Sequence, residues 1–142
     1  MQFSKLLSII AAAMLVAVVF AGLQTVRDVS AAEPPPEQWN RTFGGADYDD
    51  FRSVQQTADG GYAAVAITKS LGTGGNDAWL VKADSLGNEQ WNKTFGGSGN
   101  DVGYTVRQTI DRGYIIVGFT YSFGLSGGSG WLIKTDADGI LL

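Results

Sequence analysis

The chain has 142 residues and a net charge of −4, from 10 Lys and Arg against 14 Asp and Glu, and it contains no His and no Cys. That composition excludes disulfides, thiolate nucleophiles, histidine acid–base chemistry, a lipidated N-terminal cysteine and nearly every zinc site. The few cations are scattered and form no basic patch, so nucleic acid is not an expected partner.

The first element is apolar. Lys5 precedes a run from Leu6 to Leu23, and the small residues Ser30-Ala31-Ala32 follow. A positive start, an apolar stretch and a small-residue site predict a secretory signal, cut after Ala31 or Ala32. The run is also about 18 residues long, enough for a retained membrane anchor helix. A buried core helix is a third reading. Under either of the first two, Lys5 stays on the cytoplasmic side and the rest is sent outward. The expected localisation is extracellular or cell surface, with membrane contact only through residues 6–23 if the segment is uncleaved. Residues 1–32 are therefore read as signal peptide or anchor. Residues 33–38, with Pro34-Pro35-Pro36, form a semi-rigid linker.

The remainder, 39–142, is two copies of one unit. Residues 39–90 align without a gap on 91–142, with roughly 23 of about 52 positions identical. Trp39-Asn40-Arg41-Thr42-Phe43-Gly44-Gly45 recurs as Trp91-Asn92-Lys93-Thr94-Phe95-Gly96-Gly97. In each copy the pattern predicts four short strands. The first is polar, 51–57 and 103–109. Asp59-Gly60-Gly61 and Asp111-Arg112-Gly113 then make tight turns, where Gly supplies a positive φ. The second strand, 62–68 and 114–120, is apolar at nearly every position, which predicts cover on both faces. A Gly- and Ser-rich loop leads to the third strand, 79–82 and 131–134. The fourth is the Trp-Asn-Lys-Thr-Phe stretch, with Trp91, Lys93 and Phe95 on one face and Asn92 and Thr94 on the other. Residues 38–43 are then a fourth strand with no unit before them, and the second copy lacks most of its own fourth strand.

Four strands per unit with a doubly covered second strand predict an all-β fold of two tandem propeller-like blades, an incomplete propeller, after the N-terminal signal or anchor helix. Trp39, Trp79, Trp91 and Trp131 are expected to fill the wedge between sheets. The set W-N-[RK]-T-F-G-G, D-x-G-Y and W-L-[VI]-K-x-D-x-x-G resembles repeat units of secreted or surface-exposed bacterial and archaeal propeller-like proteins. The turn from Ala83 to Gly87, running on to Trp91, looks like the tryptophan-docking turn of quinoprotein-type propellers, one residue short before the Gly and without that motif's Thr. The resemblance implies a related blade geometry and no quinone chemistry. Such families carry enough repeats to close a ring of four to eight blades; this chain shows two.

No catalytic, cofactor-binding or metal-binding residue is assigned from the sequence. Gly96-Gly97-Ser98-Gly99-Asn100-Asp101 matches the core of calcium-binding β-roll repeats, but that motif works by tandem stacking and occurs here once. Asp49 and Asp101 are instead expected to cap backbone NH groups of the glycine loops. Asp47, Asp49 and Asp50 would be paired carboxylates for glycoside chemistry, yet only Asp49 recurs, as Asp101, so a solvated loop is expected. Asp84-Ser85-Leu86-Gly87 resembles the structural Asp-box turn of sialidase propellers. Lys82 and Lys134 are expected to be outward-facing strand charges, with a cation–π contact to a Trp as the alternative. The expected function is a non-enzymatic extracellular module for binding, adhesion or envelope structure, with no cofactor. The alternative is a remnant of a larger propeller enzyme or sensor, hydrolase or quinoprotein-like. Expected partners are a cell-surface protein or glycan and a second copy, engaged through blade edges.

Overall fold

A computed structural model of the chain describes residues 38–124 and 126–142; the signal or anchor segment and nearly all of the Pro-rich linker lie outside the described residues. Among the described residues there are seven strands and no helix. Strands β1 (Asp49–Gln56), β2 (Tyr62–Thr68), β3 (Asp77–Ala83) and β4 (Glu89–Phe95) form one antiparallel sheet in chain order, and β5 (Asp101–Gln108), β6 (Tyr114–Thr120) and β7 (Ser129–Thr135) form a second. The described residues are all-β, and the two sheets correspond to the two sequence repeats.

The strand bounds follow from turn chemistry. After β1, Thr57 N–H donates to the Gly61 carbonyl and Gly60 N–H to the Thr57 carbonyl, both at 2.9 Å, while Asp59 Oδ1 accepts from Gly61 N–H at 3.0 Å. The sharp reversal puts Gly60 at φ 83°, and in the second repeat Arg112 takes the same conformation at φ 65°. An L-residue there costs about 1–2 kcal/mol, which the Asp111 and Gly113 contacts of the turn must offset. Both sheets also slip register at the same place, between Phe51 and Ser53 and between Gly103 and Thr105. A bulge conserved between copies bends the first strand of each sheet in the same way.

Antiparallel partners share a face, so the registers sort the side chains. One face of the first sheet carries Ala63 and Val65, then Ala78 and Leu80, then Trp91 and Phe95. It packs on Val106, Tyr114, Ile116 and Ile133 of the second sheet in one core cluster, with Trp91 and Trp131 against its margin. Burial of each such aliphatic side chain stabilises the stack by roughly 1.5–3 kcal/mol. Polar contacts align the sheets: Gln108 N–H donates to Gln55 Oε1 and Ala58 N–H to Gln108 Oε1, both at 2.8 Å, and Asp101 N–H donates to the Asn76 carbonyl.

The opposite face of the first sheet has its own smaller cluster of Ala66, Trp79 and Val81, with Phe43 packed on it. Two expectations change here. Residues 39–43 form no strand; their edge-strand sequence lacks a neighbouring sheet to pair with in the described chain. The tryptophans divide between two environments. Trp91 and Trp131 border the inter-sheet core, whereas Trp79 stacks on Phe51 on the far side and Trp39 meets the Tyr62 ring at 5.6 Å. The fourth strand of the second repeat is indeed missing among the described residues, apart from a single bridge between Thr135 and Leu141.

Candidate functional site

The recurrent carboxylates are structural. Asp49 Oδ2 accepts from Gly45 N–H at 2.9 Å and from the Ser70 hydroxyl at 2.7 Å, and its Oδ1 accepts from Thr68. Asp101 repeats the set with Gly97 N–H, Ser122 and Thr120. Burial alone would raise both carboxyl pKa values, but the surrounding hydrogen bonds favour the charged form and hold both below the ordinary range. Each aspartate therefore fastens its Gly-Gly loop to the loop after the sheet's second strand, the capping role read from the sequence. Asp47 pairs with Lys69 at 3.5 Å and Asp50 with Arg52 at 2.9 Å, so the rest of the acidic loop is exposed and locally neutralised. Asp84 Oδ1 accepts from Leu86 and Asn88 N–H, both at 2.8 Å, and closes its turn.

Asp77 is different and was not singled out from the sequence. It is buried at the start of β3, its Oδ2 accepts from Thr73 N–H at 2.7 Å, and its Oδ1 has no hydrogen-bond partner. Burial pushes its pKa up, and the Asp101 charge nearby adds to that. The aligned residue in the second repeat is Ser129. Only the tertiary packing marks Asp77, because an Asp beside a Gly-rich loop reads as an ordinary turn residue.

Lys82 corrects an expectation. It is not an outward-facing charge but 4% exposed, with Nζ donating to Asp59 at 2.9 Å, to Gln90 Oε1 at 3.0 Å and to the Ala83 carbonyl at 3.1 Å. The second sheet covers it. Lys134 makes the matching pair with Asp111 at 2.9 Å but stays partly exposed, since no sheet lies over it among the described residues. Asp111 is held down to about 2 by its hydrogen bonds from Thr109 and Lys134. Both lysines use ion pairs and carbonyls in place of the cation–π contact weighed above.

Around Lys82 the ends of the two sheets enclose a cleft of about 370 Å³. Trp91 forms one wall, backed edge to face at 5.7 Å by the buried Tyr114, with Gln90, Gln108 and Arg112 beside it. A partly exposed tryptophan next to amide and cationic donors can stack on the apolar face of a ring and hydrogen-bond its substituents. Among the described residues no three of His, Cys, Asp and Glu gather as metal ligands. The other prominent surface is apolar: Ile115, Val117, Phe119 and Leu132 share the outer face of the second sheet. No protein-family model and no curated protein matches the chain's sequence.

Proposed function

We propose that the chain is an exported, non-enzymatic repeat module of β-propeller type, displayed outside the cytoplasmic membrane and serving binding, adhesion or envelope structure. The apolar segment at residues 6–23 behind Lys5 supports export. The stacking of one repeat's sheet on that of the next supports the blade reading, and the sequence resemblance to secreted propeller-like repeats agrees with it. The observation that carries the binding role is the cleft where Trp91, backed by the buried Tyr114, stands beside Gln90, Gln108 and Arg112. Its chemistry suits a sugar ring or the side chains of a surface protein.

A glycan array run alongside a broad hydrolase screen tests this reading. Binding of a glycan class that Arg112→Gly weakens about tenfold is the expected result; glycine also suits the left-handed φ of that position, so the variant keeps its turn. Turnover in the hydrolase screen would overturn the non-enzymatic reading and favour a remnant of a larger enzyme.

A further inference from the structure

The stacking relation between the two sheets can be applied once more. Residues one repeat apart meet across the interface, as Ser53 and Thr105 do at a sequence separation of 52. In that interface Val65 and Leu80 present the face that receives Val106, Tyr114, Ile116 and Ile133. Moved on by one repeat, the receiving face is that of Val117 and Leu132, which are 43% and 68% exposed. The face that fits it, moved on likewise, is that of Val54, Tyr62, Ala64 and Val81. Those residues line an apolar cleft of about 340 Å³ on the first sheet together with Trp39, Arg41 and Phe43; Val54 is exposed there, whereas Val81 is already buried in the cluster on which Phe43 packs.

Residue sizes along the two open faces compensate. Gly103 packs so closely that an added Cβ would strike Val65 and touch Ala78 at 3.4 Å. Its first-repeat equivalent is the large Phe51, and the equivalent of Ala78 is Gly130, where an added Cβ would meet nothing within 4 Å. Likewise Ala63 and Ile116, both in the core cluster, have Ile115 and Ala64 as their equivalents on the two open faces. Bulk lost on one open face is gained on the other.

Residues 39–43 already stand in the place of a preceding repeat's fourth strand. Trp39 meets Tyr62 at 5.6 Å and 63°, and Trp91 of β4 meets Tyr114 at 5.7 Å and 69°. A Cβ on Gly87 would lie 2.6 Å from the Trp39 ring, and one on Gly139 2.7 Å from the Trp91 ring. Meanwhile the outer edge of β7, beyond the Thr135–Leu141 bridge and a hydrogen bond from Leu142 N–H to the Lys134 carbonyl at 3.2 Å, has no strand partner among the described residues. In the first sheet Leu80 pairs with Lys93 and Lys82 with Trp91. The same register on β7 sets Leu132 against Arg41 and Lys134 against Trp39.

We propose that the open face and edge of the second sheet dock a second copy of this chain head to tail, through that copy's residues 39–43 and the outer face of its first sheet. Strand addition supplies the missing main-chain hydrogen bonds, and face-to-face packing buries the apolar patch. The contact is heterologous and so propagates to a ring or a filament. It goes beyond the binding reading above and rests only on the observed stacking of the two repeats.

The test uses the full chain in mild detergent. The sequence contains no cysteine, so two engineered chains, Arg41→Cys and Leu132→Cys, carry one thiol each and are given tags of different mass. On mixing and mild oxidation, the mixed disulfide is expected to outnumber either homodimer at least tenfold. Leu132→Lys, at a position already exposed, is expected to fold normally by circular dichroism and to weaken association at least tenfold by light scattering. A statistical mixture of disulfides, a monomer at tens of micromolar, or association unchanged by Leu132→Lys would each overturn the proposal. The last outcome would place self-association elsewhere in the chain. Glycan binding is read separately, so either idea can fail alone.

Discussion

Val65 and Val117 occupy the same position in two near-copies of one unit, yet the first is 0% exposed and the second 43%. Leu80 and Leu132 differ in the same way, and Lys82 and Lys134 follow them. Local sequence is nearly the same at each pair, so the difference comes from the neighbour. The first sheet has the second against this face, and the second sheet has no counterpart among the described residues. The two repeats are thus an internal control: one pattern, one register, two environments.

The largest effect that separates them is apolar truncation. Leu80→Ala should cost about 3 kcal/mol, because it removes a fully buried side chain and leaves a cavity that the two sheets cannot close. Leu132→Ala should cost less than about 0.5 kcal/mol in the dilute chain, as a surface change. Urea melts of both variants at low micromolar concentration check this. Equal losses would mean that the outer face of the second sheet is covered even in the single chain.

The next effect is at the lysines. Lys82→Met should destabilise by about 1–2 kcal/mol, since Gln90, the Ala83 carbonyl and Asp59 lose a shared donor inside a covered site. The figure is held low because Asp59 is half-exposed and can be rehydrated. Lys134→Met should give no measurable change in the same urea melts. A loss at Lys134 as large as that at Lys82 would contradict the environmental account of the pair.

The strand count of the first sheet, the places of both turns after the first strands, the second strands themselves and the capping of Gly-Gly loops by Asp49 and Asp101 were legible in the sequence; that Arg112 and not a glycine takes the positive φ of the second turn, and that β6 is covered on one face only, were not. Each legible feature depends on interactions within a few residues or on period-two patterning, which repeat in both copies. The burial of Lys82 was not legible. Its side chain lies on the face that a second sheet covers, and a lysine in a half-polar strand looks the same whether or not that sheet is there. The coil at 39–43 escaped for a related reason: strand-forming sequence needs a partner edge, and its own unit supplies none.

Asp77 gives the smallest and most specific test. Its folded pKa is raised, so between the ordinary carboxylate value near 4 and that raised value the folded state binds more protons than the unfolded. Its contribution is therefore full at low pH and is lost as pH rises through that window. Asp101 and Asp111 have lowered pKa values and act with the opposite sign, losing their contribution as pH falls below about 4. Asp77→Asn removes the titration. Its melting temperature should approach that of the parent near pH 3, exceed it by an amount that grows as pH rises through that window, and keep that excess above it. Parallel curves across that range would show that the unpartnered Oδ1 does not titrate against folding. Ser129, the second-repeat equivalent, should show no such dependence when changed to Ala.

By itself the sequence determined the repeat, its register and its turns. Gly, Asp and alternating apolar residues act over short range, and a 52-residue echo is visible without any structure. Tertiary structure alone decided which copy of each residue is buried. Burial depends on what lies across a face, and two almost identical strands carry no local mark of which will find a neighbour. The sheet stacking settled that for Leu80 and Lys82 and left Leu132 and Lys134 on an open face.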